Sequence, residues 1–518
     1  MSEHTRFVAP ARLIALFTAA SRVLGLVREM AYSFFFGIDP VFSSFRVAFM
    51  LPNLARRLFG EGAMASAFIP VFTEVLQTGG RDRARRLAGS AFTLLGSALV
   101  ALTLLVIVGV GIGHLARPSL TLVLTMIMMP YMIFICLTGF AGGMLNSLDR
   151  YGAPAAAPIL LNVVLIVVLV VAGYWSGLQG TQLLYLVAVS VVIAGVLQFG
   201  LQVVDLRRAG CPPRLNLQWR DPDLRRILLM MGPMIVGLSA AQVNVLADSL
   251  IALFLVPDGR GPAVLGYAHM LYHLPLGVFG VALATAIFPL LSSKAAQRDH
   301  AAVSAVLASG LRVTVFIALP AAVGLILLAT PVVSLLYERR GGRFDATATD
   351  HVAFTLICYS VGLVSYCAQP ILTRAFYALQ DVRTPVRIGL VSVAINLVLS
   401  LLLVFPLAEG GIALATAIST TGQVVWLVAS LRRHLPALGW HGIGASAART
   451  CGACAAMGVV VWWIALASRL AQAGNLAKLA VAIPAGIVVF IAAARLLGCG
   501  ELSELLSRRE PRSDTPNA

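Results

Sequence analysis

The stretch 46–72, RVAFMLPNLARRLFGEGAMASAFIPVF, decides how this chain is read. At 1.5 Å of rise per residue it is long and apolar enough to cross a bilayer as a helix. Yet Arg56, Arg57 and Glu61 lie near its middle. An ionisable group at that depth costs about 2.5–3.5 kcal/mol on insertion scales, so it persists where it faces a watery cavity or a partner. The apolar stretch before it, 13–36, repeats the oddity with Arg22, Arg28 and Glu29. Two charged spans in succession suggest a cationic chamber inside a transporter.

The composition agrees. The chain has 518 residues, 59% of them hydrophobic and 12% charged, with a mean hydropathy of +0.90. A soluble domain carries about 25% charged residues, so an all-α polytopic membrane protein is expected. The net charge of +16 does not point to nucleic acid, because the basic residues sit in short loops between apolar spans. Seven cysteines, odd in number and scattered through apolar stretches, imply no disulfide framework. Cys451 and Cys454 form a CxxC, but in a Gly/Ala-rich apolar segment where small helix-packing residues are the simpler reading than zinc or redox chemistry. No cleavage site for a signal peptide flanks the first span, which is expected to be retained.

Fourteen candidate spans of about 20 residues each run from one centred near 24 to one near 487, with a polar tail at 501–518. If the N-terminus is cytoplasmic, the inward loops, the N-terminus and the tail together hold twenty-three Lys and Arg, and the outward loops hold eight, counting Arg46 among them. That bias places both termini in the cytoplasm. The segment Tyr337-Glu338-Arg339-Arg340-Gly341-Gly342-Arg343 is the one sizeable exception on the outer side.

The chain also repeats itself. Leu51-Pro52 precedes Ala67-Phe68-Ile69-Pro70, and Leu274-Pro275 precedes Ala286-Ile287-Phe288-Pro289. Leu145-Asn146-Ser147-Leu148-Asp149-Arg150 leads to Asn162 as Ala378-Leu379-Gln380-Asp381-Val382-Arg383 leads to Asn396. The offsets are 219 residues from Pro70 to Pro289 and 232 from Asp149 to Asp381. Two six-helix lobes of like topology, 1–208 and 209–434, follow from that period, with a site between parallel repeats. Spans thirteen and fourteen, 435–500, fall outside it.

Arg22, Arg56 and Arg57 each lie about ten residues into their helices, roughly 15 Å deep. Arg28 and Glu29 sit nearer the outer face. Ser21 and Arg28 share a helical face, and Gly25 between them offers a bend. Arg57 and Glu61, four apart, can pair. Guanidinium is permanently charged and offers a planar fork of donors suited to phosphate, so an excess of it suggests an anionic phosphate or diphosphate. A structural role, with the charges tying helices together through carbonyls and Glu61, is the competing reading. Asp248, with Asn244 one turn away, is either a site for a coupling cation (Na⁺ or H⁺) or a satisfied hydrogen-bonding acid. His269 and His273, with Tyr272, could add pH-dependent positive charge opposite the chamber or serve only packing.

The sequence resembles the MurJ (MviN) family of lipid II flippases, in the superfamily of multidrug and oligosaccharidyl-lipid exporters. Ser21-Arg22-Val23-Leu24-Gly25 with Arg28 carries the resemblance, as do Leu51-Pro52-Asn53-Leu54 through Arg56-Arg57 to Glu61-Gly62-Ala63, and Ala375-Phe376-Tyr377-Ala378-Leu379-Gln380-Asp381 through Thr384-Pro385. The resemblance implies alternating access that carries undecaprenyl-linked peptidoglycan precursor outward. It implies Arg22, Arg28 and Arg56 as binders of the diphosphate or sugar headgroup, and spans thirteen and fourteen as a groove for the lipid tail; Ser21 and Asn53, in the same motifs, are further candidate substrate-binding residues. It implies an acidic coupling-ion position at Asp248. The family often has arginine in span eight within a Tyr-Ala-Asp-Arg-like run. Here the run reads Tyr267-Ala268-His269-Met270, so His269 or His273 would substitute, and Ser43 stands where an acid is common.

The expectation is therefore a flippase of the bacterial inner membrane that moves lipid II among membrane lipids. It would work without an organic cofactor and be driven by Na⁺, H⁺ or the membrane potential, in possible contact with other cell-wall synthesis proteins. A sister exporter of another polyprenyl-linked saccharide or of drugs is the nearest rival. A polytopic glycosyltransferase or ligase is a more distant one, since it needs a sizeable extramembrane loop or clustered interfacial acids that the sequence lacks.

Overall fold

The computed structural model describes residues 3–60, 63–212, 215, 216, 218, 220–435, 439–467 and 474–506, which form helices, turns and loops with no strand among them. Two compact units emerge, Met1–Ala263 with Tyr337–Asp345, and Val264–Leu336 with Ala346–Ala518. This division follows packing, whereas the boundary expected at 208/209 followed the repeat.

In the first unit the helices are α1 (Glu3–Phe36), α2 (Pro40–Ala55), α3 (Ala63–Thr78), α4 (Gly80–Ala116), α5 (Leu120–Met128), α6 (Tyr131–Ser147), α7 (Gly152–Val168), α8 (Gly180–Arg208) and α9 (Pro222–Leu255). Their starts are written locally. Asp39 accepts the Val41 N–H at 2.9 Å and Asp221 that of Asp223 at 2.9 Å, each followed by a proline in the first turn, where the missing N–H costs nothing. α8 packs on α6 and α7, and its buried amides lock it there. Gln198 Nε2 donates to the Ala157 carbonyl at 2.7 Å and Gln202 Nε2 to that of Ala153 at 2.9 Å. Interhelical bonds of this kind hold helices together where lipid removes the hydrophobic drive.

The second unit holds α10 (Gly261–Pro275), whose first turn belongs to the first unit, then α11 (Val281–Ala296), α12 (His300–Leu327), α13 (Ala329–Tyr337), α14 (Ala346–Val361), α15 (Leu363–Ala378), α16 (Arg383–His434), α17 (Trp440–Trp462), α18 (Asn475–Leu496) and α19 (Gly500–Leu506). One core joins α11, α12, α15 and α16 around Leu307, Leu372, Phe376 and Leu431. A second joins α12, α17 and α18 around Phe316, Met457 and Phe490. The short α19 closes the end of that second core. Buried Glu501 accepts from Ser446 Oγ at 2.7 Å and lies 3.5 Å from Arg312 Nε.

Seven described helices are long and apolar enough to cross a membrane. There are nine if two bent pairs, α5 with α6 (41°) and α14 with α15 (42°), count as one span each. The chain is a multi-pass membrane protein. The other expected spans carry charge or are interrupted. α1 holds Arg22, Arg28 and Glu29 in one unbroken helix, with no unwinding at Gly25. The stretch 46–72 is not one continuous α-helix. α2 and α3 flank a π-helical turn at Arg56–Gly60, which follows Pro52 by one turn. α16 runs through the eleventh and twelfth expected spans and breaks at Ala408 (φ 47°, ψ −130°), where Gly410 and Gly411 allow tight packing.

The repeat appears in each unit's own construction. A second π-helical turn, Leu276–Gly280, separates α10 from α11 as Arg56–Gly60 separates α2 from α3. A β-carbon on Gly60 would lie 3.2 Å from Cys136 Cα, and one on Gly280 3.1 Å from Cys367 Cα. At the later motif Asp149 (φ 58°) and Gln380 (φ 62°) both turn left-handed. The next amides, of Arg150 and Asp381, donate back to the Leu145 and Phe376 carbonyls at 2.9 Å each. The cationic loop at 337–345, expected on the outer side, belongs to the first unit. The Arg343 amide donates to the Phe34 carbonyl at 2.9 Å and its guanidinium lies 3.6 Å from Asp39.

Candidate anion site and its cation partners

Helix α1 supplies the first layer of the site. Arg28 Nη1 donates to Asn162 Oδ1 on α7 at 3.0 Å, and Nη2 donates to Glu29 Oε1 at 2.9 Å. Asn162 in turn donates to the Ser21 carbonyl at 3.1 Å, so Ser21 takes part through its backbone. Glu29 also accepts from Arg46 Nη2 through its other oxygen. Arg46, expected in an outer loop, lies instead in the second turn of α2 with its side chain 20% exposed. Both guanidiniums stand over rings, Arg28 at 5.6 Å from the Tyr32 centroid and Arg46 at 4.9 Å from that of Phe42. Aromatic faces steady such cations and limit the water they need.

A second set of the expected residues stands on the π-helical turn. Arg56 Nε donates to Asn53 Oδ1 at 2.9 Å, which brings these two expected residues together. Arg57, exposed, reaches Gln242 Oε1 on α9 at 3.4 Å. A π-helical turn widens the helix by one residue and redirects the side chains that follow, and such turns recur at functional sites. Arg22 is half-buried on α1 and makes no hydrogen bond or ion pair among the described residues. Glu61, the expected partner of Arg57, lies outside the described residues.

On α9, Asn244 Nδ2 donates to Asp248 Oδ2 at 3.3 Å, so the pair read from its one-turn spacing is formed. In the second unit, His269 and His273 share one exposed face of α10 with ring centroids 3.9 Å apart. Tyr272 beside them stacks on Tyr359 at 4.5 Å. An apolar cleft lies between α12 and α17, lined by Leu319, Val323 and Leu327 on one side and Cys454, Gly458 and Trp462 on the other. Sequence reasoning missed Asn162 as a partner of Arg28 and Arg46 as the second partner of Glu29. The available signal was Glu29, a buried acid with two cations to share.

A multi-pass helical protein with duplicated bent helices and clustered guanidiniums on the first two belongs to the class of membrane transporters. Its fold is that of an inward-facing multidrug resistance MATE family transporter of the MOP superfamily, with 14% identity over 82% of this chain and 95% of that one and a TM-score of 0.63. It is closer to a lipid II flippase MurJ solved in an inward closed conformation, 23% identical over 96% of this chain and all of that one, with a TM-score of 0.78. The sequence model described as lipid II flippase MurJ matches residues 32–481. A lipid II flippase MurJ of Burkholderia cenocepacia is 34% identical over 82% of this chain and 84% of its own length. A probable lipid II flippase MurJ of Bdellovibrio bacteriovorus is 30% identical over 98% of both. The chain belongs to the MurJ family of lipid II flippases, which are transporters and not enzymes.

Proposed function

We propose that this chain carries lipid II, the undecaprenyl-diphosphate-linked peptidoglycan precursor, from the inner to the outer leaflet of the bacterial inner membrane. It works by alternating access, with no bond made or broken. One observation beside the family match carries the reading. On the first two membrane-crossing stretches Arg22, Arg28, Arg46, Arg56 and Arg57 outnumber Glu29, Asp39 and Glu61, and Arg28 and Arg46 converge on a single carboxylate. A diphosphate crossing hydrocarbon loses its hydration, and guanidinium donors replace it. The polyprenyl tail stays in lipid, and the cleft between α12 and α17 is apolar enough to receive it. Asp248 with Asn244 is the candidate for a coupling Na⁺ or H⁺, with the membrane potential as the other source of drive. The Lys and Arg bias supports cytoplasmic termini, and contacts with other cell-wall synthesis proteins would fall on the loops.

An organic-cation exporter needs a cavity of the opposite sign, so net basic character favours the lipid diphosphate over a drug. The test is complementation of a flippase-depleted bacterium with lipid II measured on the outer leaflet. The wild-type chain restores it. Arg22→Ala, Arg28→Ala and Arg56→Ala each abolish it while still inserting, and normal complementation by all three would overturn the reading.

A further inference from the structure

Glu29 has one carboxylate oxygen for each of two guanidiniums. Oε1 accepts from Arg28 Nη2 at 2.9 Å and Oε2 from Arg46 Nη2. The acid is sealed, its side chain 4% exposed, whereas those of Arg28 and Arg46 are 19% and 20% exposed. Tyr32 and Phe42 stand against the two cations, and Asn162 fixes the Arg28 fork from α7. The result is a pair of planar cations bracketing one anion, with a part of each side chain still exposed.

A structural ion pair for Glu29 is complete with Arg28 alone. Bringing Arg46 onto the same carboxylate adds repulsion between two like charges, which low-dielectric surroundings strengthen, and leaves the trio with a net charge of +1. Arg28 Nε is buried without a hydrogen-bond partner among the described residues, so its donors are not all used. Such a trio is an anion receptor partly filled by its own carboxylate, because carboxylate and phosphate oxygens take the guanidinium fork in the same way.

We infer that Arg46 is a substrate-binding residue, which forms with Arg28 a two-guanidinium clamp selective for a diphosphate over a monophosphate. Glu29 holds the two forks in register while the clamp is empty and shares them once an anion arrives. Two forks match two phosphoryl groups, whereas a monophosphate occupies only one. The inference rests on the lipid-diphosphate reading above and adds to it a residue and a selectivity.

The test measures binding of undecaprenyl diphosphate and undecaprenyl monophosphate to the full chain in nanodiscs, for wild type, Arg28→Ala, Arg46→Gln and Arg46→Lys. Wild type should prefer the diphosphate. Arg46→Gln should weaken diphosphate binding by about tenfold or more, the loss of one hydrogen bond to a charged group, and leave monophosphate binding little changed. Arg46→Lys keeps the charge on Glu29 without the fork and should lose most of the preference. It also serves as the test if Arg46→Gln fails to fold, as judged by size exclusion. A diphosphate preference intact in both Arg46 variants, but lost in Arg28→Ala, overturns the clamp and leaves the flippase reading standing. No saturable diphosphate binding by wild type overturns both.

Discussion

Gly60 and Gly139 meet backbone to backbone. A β-carbon on Gly139 would lie 2.9 Å from both the carbonyl carbon and the oxygen of Gly60. Gly60 closes the π-helical turn that carries Arg56 and Arg57, so this contact with α6 sets how that turn is seated. Backbone cannot give way as the end of a flexible side chain can. Gly139→Ala should cost about 1–3 kcal/mol, as overpacking of a tight contact does, and Gly139→Val more. A fall in melting temperature of the purified variant checks this, and transport should fall with it because the arginine turn is displaced.

Asn162 ties the Arg28–Glu29–Arg46 trio to α7, a helix that supplies none of the three charges. Asn162→Ala removes one hydrogen bond to a charged group and frees the Ser21 carbonyl, at a cost of about 1.5–3 kcal/mol. Asn162→Asp instead offers Arg28 a second carboxylate and neutralises the trio. Both should depress outer-leaflet lipid II, with Asn162→Asp the more severe although its size is unchanged. Equal activity of Asn162→Asp and wild type would show that the surplus charge is dispensable.

Asp248 and Asn244 pose a separable question. Asp248→Asn keeps the size and the reach to Asn244 but removes the charge. If the pair holds a coupling cation, transport in Asp248→Asn should lose its dependence on Na⁺ or on the proton gradient. Flux measured in vesicles of defined ionic composition reads this directly. An unchanged cation dependence assigns Asp248 a structural role.

Asp381 caps the start of α16 by accepting the Thr384 N–H at 3.0 Å. Hydrogen bonds from the Thr384 hydroxyl and amide, with His434 nearby, hold its carboxyl below the ordinary value. A depressed carboxyl contributes stability above its unfolded pKa, near 3.9, and that contribution disappears as pH falls through the folded value. Asp381→Asn should therefore lower stability at neutral pH by about 0.5–2 kcal/mol, the usual range for a lost cap. The difference in melting temperature between wild type and variant should shrink between about pH 5 and pH 3.

Composition, the charged spans and the two copies of each motif were legible in the residues. The structure places those motifs in matching turns, with Gln380 rather than Asp381 standing where Asp149 does, one residue off the sequence register. The π-helical turns were not legible, since Arg-Arg-Leu-Phe-Gly favours ordinary α-helix locally. At each of these turns a glycine packs against a neighbouring helix, α6 in one unit and α15 in the other, a contact that local sequence does not reveal. Arg46 was hidden for a related reason. Glu29's first cation is its chain neighbour Arg28, whereas its second comes from the next helix, 17 residues on. The unbroken α1 shows the converse, because Gly25 permits unwinding yet stays helical.

The contact of Glu501 with Ser446 and Arg312 has a practical side for anyone handling the molecule. The last described turn is a rivet at the end of the α17–α18 pair, so a truncation that ends the chain at the final hydrophobic run would remove the acid 3.5 Å from Arg312. Reporters and affinity handles belong beyond Leu506, where the rivet stays seated.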